Sequence, residues 1–224
     1  MNSLFATRSS GYIVGVTPLR PSLTSFQIEA GACVRCHELG LLHVHEDGRR
    51  SRPLFHEDTT GRSRVLCVME APNFEDTYDV DKGRLTIHPE TDPTGRFLAE
   101  LLASVDLTPT DVVCTNAVLC LPAGSGGRHP VTPQLRKAYR PWLAKLIDAV
   151  DPLAVISLGT KPLEALNGVE RHGLTLRQGV GKLHDWYGRK LLPLYHPGQL
   201  GRVTRKAEAQ RRDIQALRSV LPAP

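Results

Sequence analysis

The sequence predicts an α/β fold, a parallel sheet with helices on both faces. Three observations carry this. Short apolar runs at residues 65–69, 111–118, 153–158 and 191–195 have strand length and composition. Segments of helical period separate them, the pattern of strand–helix–strand units. Two of the runs end in a polar group and then a turn: Val65–Met69 leads into Glu70-Ala71-Pro72-Asn73, and 191–195 into His196-Pro197-Gly198. Ligands of open parallel sheets bind beyond the carboxyl ends of the strands, so both endings point to one cleft.

Residues 1–30 show no sustained periodicity and read as an irregular arm, with a single domain over 31–224. After the first strand a long polar connection runs from Pro72 to about Thr94, a length often associated with function. Phe97, Leu98, Leu101 and Leu102 then recur at helical spacing. Residues 121–130 are rich in Gly and Pro and read as a loop. A helix is expected over 132–150, with Trp142, Leu143, Leu146 and Ile147 on its apolar face. A short helix follows at 161–166, a hairpin or loop at 174–187, and a last helix at 204–220. No internal repeat is visible, and strand order does not follow from the pattern.

The 224 residues are 41% apolar, enough for a core, and no run of about 18 apolar residues suggests a membrane span. The first residues lack a basic-then-apolar leader, so a cytoplasmic chain is expected, nucleoid-associated if bacterial; a monomer is also expected. Net charge is +5, which fits either a polyanionic partner or a solvated basic surface. Position favours the former. Arg202, Arg205, Lys206, Arg211, Arg212 and Arg218 crowd the end beyond His196, against Glu208 and Asp213 alone. Arg49, Arg50 and Arg52 form a second group. Such clusters beside a cleft suit phosphate contact.

Several residues have chemical readings beside plainer ones. Glu70 either orients water or a ligand, or serves as an exposed loop acid. Glu75 and Asp76 add acids to the same loop. Asn116 lies in a strand, where Asn is depleted; its amide offers a donor and an acceptor in one plane, which suits the edge of a base. The alternative is an Asn bonded to a loop backbone. His196 either serves a developing anion or caps its turn. Leu200, between Gly198-Gln199 and Gly201-Arg202, is either an apolar wedge for stacked bases or a core residue. Cys33 and Cys36 form a C-x-x-C pair of the kind used by metal and redox sites. Cys67 and Cys114 read as core, and Cys120 lies in a loop after a strand.

Together these segments resemble the uracil-DNA glycosylase superfamily, nearest to its iron–sulfur branch, family 4. The segment from Cys33 to Gly40 resembles the opening cysteine pair, and Met69-Glu70-Ala71-Pro72-Asn73 resembles the G-E-A-P-G motif. Thr94-Gly95-Arg96-Phe97-Leu98 resembles the start of the next helix. The segment from Thr115 to Pro122 resembles T-N-V-V-K-C-R-P, and Ile156-Ser157-Leu158-Gly159 and Tyr195-His196-Pro197 match in order.

The resemblance implies a three-layer α/β/α fold with a four-stranded parallel sheet. It implies hydrolysis of the bond between uracil and deoxyribose in DNA, with no redox or nucleotide cofactor in the reaction. Glu70 falls on the motif acid, with Asp76 as a second catalytic acid nearby. Asn116 falls on the amide that reads uracil, within a pocket including Ala71, Pro72 and Asn73. His196 falls on the histidine that stabilises the departing base. Gly198, Gln199, Leu200, Arg202, Arg205 and Lys206 fall on the segment that meets DNA.

Departures accompany the matches. Met69 and Asn73 replace motif glycines, and the family's Pro-Phe, whose aromatic stacks on the base, is missing. Phe74, Tyr78 and His88 are the alternatives for stacking. The fourth cluster cysteine should fall at Tyr139, so Cys33, Cys36 and Cys120 supply three thiols. The arm is expected to be held by packing or by zinc with His37 or His129 rather than by a four-cysteine cluster; an iron–sulfur cluster with an unusual fourth ligand, His37, His129 or Tyr139, is the remaining alternative. Other readings are a glycosylase for another damaged base, or a non-catalytic, zinc-containing DNA-binding module.

Overall fold

A computed structural model describes residues 22–55, 65–72, 92–125 and 128–221. Five strands form one sheet in the order β2-β1-β3-β5-β4: β1 (Val65–Met69), β2 (Val112–Asn116), β3 (Ala154–Leu158), β4 (His184–Trp186) and β5 (Arg189–Leu194). The four expected strands are present and mutually parallel, with Val65 level with Val112 and Ala154, and Ala154 with Lys190. The expected count of four is corrected by β4, which pairs antiparallel with β5 at the edge. It was hidden because three residues are too few to show a period. The turn that makes it is legible afterwards: Tyr187 and Gly188 both have positive φ, 49° and 67°, the geometry of a tight two-residue hairpin.

Alternation along the strands separates two cores. Val65, Cys67, Val112, Cys114, Ile156 and Leu192 face α3 (Pro93–Ala103) and Ile214. Leu66, Val68, Val113, Val155 and Leu191 face α4 (Pro133–Val150) and α5 (Thr160–Val169). The chain is thus layered helix–sheet–helix. Two of the flanking helices have polar caps: both carboxylate oxygens of Asp92 accept backbone N–H groups at the start of α3, from Thr94 and Gly95, and Thr132 caps α4.

The arm needs correction. Residues 23–31, mostly read as irregular, form α1 (Leu23–Gly31), capped by Ser22 and followed by α2 (Arg35–Glu38). Only Phe26 and Ala30 of α1 are buried, too narrow a stripe to register as periodicity. Phe26 meets Phe55 and Trp142 edge to face, at 5.9 and 6.1 Å between centroids. The stretch 174–187 also contains the single-turn helix α6 (Leu176–Gly179). The last expected helix is broken into α7 (Gln199–Thr204), α8 (Ala207–Ile214) and a 3-10 turn (Gln215–Ser219). The break falls at Arg205, whose backbone is extended. Among the described residues no helix is long and apolar enough to cross a membrane.

Candidate active site

The carboxyl ends of β1, β2 and β5 open on one rim. Asn116 ends β2 level with Met69 of β1. The crossing is stitched by Ala117 N–H to the Met69 carbonyl (2.8 Å) and Val118 N–H to the Glu70 carbonyl (3.1 Å). By strand alternation Asn116 shares the α3 face with Cys114, and Met69 packs on that core. Asn116 is 2% exposed, yet among the described residues its Nδ2 has no hydrogen-bond partner. A buried amide donor left unsatisfied costs about 1–3 kcal/mol. Such a group fits a site where a ligand supplies the acceptor.

His196 sits two residues beyond β5 and is half-buried. The Gly198 N–H donates to its Nδ1 (3.0 Å). The neutral ring therefore carries its proton on Nε2, available as a donor. Burial pushes the His196 pKa down, and the Asp92 carboxylate opposes this more weakly. The start of α3 therefore belongs to the site. A Cβ on Gly198 would lie 2.8 Å from His196 Nδ1 and 3.3 Å from Thr94 Oγ1. The exits of β2 and β5 are separated by three inter-strand steps, about 14 Å in all. That gap accommodates a planar ring between two side chains.

Glu70 lies elsewhere on the rim. Its side chain feels Lys161 and Arg136, which lower its pKa, and Glu164, which raises it; partial burial dominates and holds the carboxyl above its usual range. These partners belong to α4 and α5, on the opposite side from α3. Ala71 is half-buried and Pro72 buried. Asn73, Phe74, Glu75, Asp76, Tyr78 and His88 lie outside the described residues.

The loop after His196 becomes α7. Leu200 is 85% exposed and Val203, one turn on, is 76% exposed. Leu200 is therefore not a core residue, and Val203 is an exposed neighbour that sequence reading missed. Gln199 and Lys206 are exposed, and Gly198 is buried. Arg202 lies over one side of the Phe97 ring at 5.3 Å, with Arg211 at 5.4 Å. Arg205, expected on phosphate, instead grips Asp213 through Nε (2.8 Å) and Nη2 (2.6 Å). Asp92 was also missed, because its sequence signal is that of a helix cap.

Three cysteines, one distant from the other two in the chain, come together. Cys33, Cys36, Cys120 and Tyr139 line one small cavity of about 10 Å³. The Tyr139 side chain adjoins the Cys120 thiol in that cavity. Burial is the main reason that the Cys120 pKa is pushed up to about 12. His37 Nε2 donates to the Ser51 carbonyl (2.7 Å) and His129 Nδ1 to the Pro122 carbonyl (2.9 Å). Among the described residues no set of three His, Cys, Asp or Glu side chains is arranged to hold a metal ion. Three thiols, a phenol and a space of one water do not fit a cluster that takes four thiolates.

The model of the uracil DNA glycosylase superfamily matches residues 56–218. A type-4 uracil-DNA glycosylase of Archaeoglobus fulgidus is 27% identical over 141 residues. That match covers 61% of this chain and 66% of the length of the archaeal protein.

Proposed function

This chain belongs to the uracil DNA glycosylase superfamily, and from that premise we propose that it hydrolyses the N-glycosidic bond of deoxyuridine in DNA. The observation that carries the reading is the buried, unpartnered Nδ2 of Asn116 on the α3 side of the sheet, together with the His196 Nε2–H beside the start of α3.

The target base leaves the stack, at a cost of about a few kcal/mol, and enters the rim between β2 and β5. The Asn116 amide donates to a uracil carbonyl and accepts from the ring N–H beside it, a pairing that cytosine does not reproduce. The bond from the sugar carbon to the base nitrogen then breaks with its electron pair passing to the base. Positive charge grows on the sugar and negative charge on the uracil. His196 meets that anion with a donor fixed before the reaction. Loss of one such donor typically costs about 100- to 1000-fold in rate. Water adds to the sugar carbon and releases a proton. An acid of the motif loop, Glu70 or Glu75 or Asp76, orients that water. Leu200 and Val203 fill the space left by the base, and Arg202 and Lys206 hold phosphates.

Release of free base from duplexes carrying a single uracil, hypoxanthine, xanthine or thymine-mismatch site tests the reading. Uracil release alone, lost in His196→Ala, is the expected result. Release of another base in preference to uracil refutes the assignment of substrate. Binding without any release assigns the chain to DNA recognition without catalysis.

A further inference from the structure

We infer that the cysteine triad of this chain is a metal-free thiol core in which Tyr139 stands where a fourth ligand would be, and that packing alone holds the N-terminal helices to the domain. The inference is independent of the substrate.

The donor set argues it first. Iron–sulfur clusters take four thiolates, and structural zinc takes four Cys or His donors. Here three thiols meet a phenol. The phenol is no bystander. Tyr139 is 6% exposed and lies against the Cys120 thiol in the same cavity. The space that remains, about 10 Å³, holds one water at most. Neither His37 nor His129 lines that cavity.

The arm, moreover, already has its anchors. Phe26, 1% exposed, meets Phe55 and Trp142 edge to face. Glu29 pairs with Lys145 at 2.5 Å, and that ammonium also lies 5.0 Å from the Trp142 ring centre. Beyond α2 the backbone is stitched to the exit of β2. His43 N–H reaches the Leu121 carbonyl at 3.0 Å, Ala123 N–H the Leu41 carbonyl at 2.9 Å, and Leu54 N–H the Leu119 carbonyl at 2.9 Å. Buried aromatic pairs and ladder bonds are the contacts that hold any helix pair, and they need no metal.

Protein purified anaerobically from cells supplied with iron and zinc tests this, with iron, zinc and acid-labile sulfide measured per chain. We expect each to be far below stoichiometric, and to remain so after anaerobic incubation with iron and sulfide. The melting temperature should be unmoved by a strong chelator. Cys33→Ala changes a half-exposed thiol and should shift melting by less than about 2 °C. About four iron and four sulfide per chain, or about one zinc, overturns the inference. So does metal that Cys33→Ala removes together with a large fall in melting temperature.

Discussion

Gly201→Ala is the smallest change that should disable the site without touching a reacting group. Gly201 lies in α7, packed against the backbone that carries His196. A methyl group there would lie 1.9 Å from the His196 carbonyl oxygen, 2.8 Å from its carbonyl carbon and 3.2 Å from its Cα. Ordinary contacts lie near 3.5 Å, so one segment must give way by about 1.5 Å. All three opposing atoms are backbone, so no rotamer change relieves the clash. Displacement of about 1 Å at a reacting group costs on the order of 100-fold in rate. We expect single-turnover release of uracil to fall by about that factor. The matched control is Gly31→Ala in α1, where a Cβ meets nothing within 4 Å. That change should leave the rate alone and stabilise the fold by about 0.4–1 kcal/mol. Gly201→Ala releasing uracil within about threefold of wild type refutes the claim that close approach of α7 fixes His196.

His196→Ala should cut single-turnover release by about 100- to 1000-fold while leaving DNA affinity nearly unchanged, because its donor counts most as charge develops; an equal loss in binding with no loss of rate marks it as structural. Asn116→Asp should erode uracil selectivity, since a carboxylate lacks the amide donor, and undiminished preference in a competition assay contradicts the role. Arg202→Ala should reduce the slope of log affinity against log salt by about one. Arg205→Ala should leave that slope alone and lower stability by about 1–3 kcal/mol in denaturant titrations, because Asp213, only 7% exposed, loses its partner. Burial holds the pKa of His43, His172 and His196 below the ordinary histidine value. The unfolded chain therefore takes up protons first, and stability present above about pH 6.5 is lost as pH falls toward the lower folded values. Melting temperatures measured between about pH 7.5 and 5 should fall, and a flat profile contradicts the assignment.

The sheet and the two rim residues were legible for different reasons. β1, β2, β3 and β5 are buried on both faces and read as apolar runs, which only a strand of a covered parallel sheet needs. β4 escaped because an edge strand of three residues, with Asp185 in the open, has no run to show. α1 escaped because its buried stripe is two residues wide. The last helix was read through Arg205 because charge and helical propensity continue across it. The break is accompanied by the Arg205–Asp213 pair and the Gln210 bond to the Arg205 carbonyl, eight and five residues apart, spacings that the i to i+3 and i+4 pattern of a continuous helix does not hold.

The site divides along the same line. Asn116 and His196 stand out in sequence because each violates its surroundings, a carboxamide in a strand and a histidine between apolar residues and a turn. Asp92 and Phe97 conform to theirs, one as a helix cap and one as a core aromatic, and so carry no signal. Yet the first tempers the charge of His196 and the second seats Arg202. Residues that act through another group keep the chemistry their local structure already demands, which is why they become visible only once the elements are packed. Tyr139 is the converse. It is ordinary on an amphipathic helix and gains meaning from the three thiols around it, which lie 19 to 106 positions away in the chain. Packing, not spacing, makes that corner of the protein a closed core.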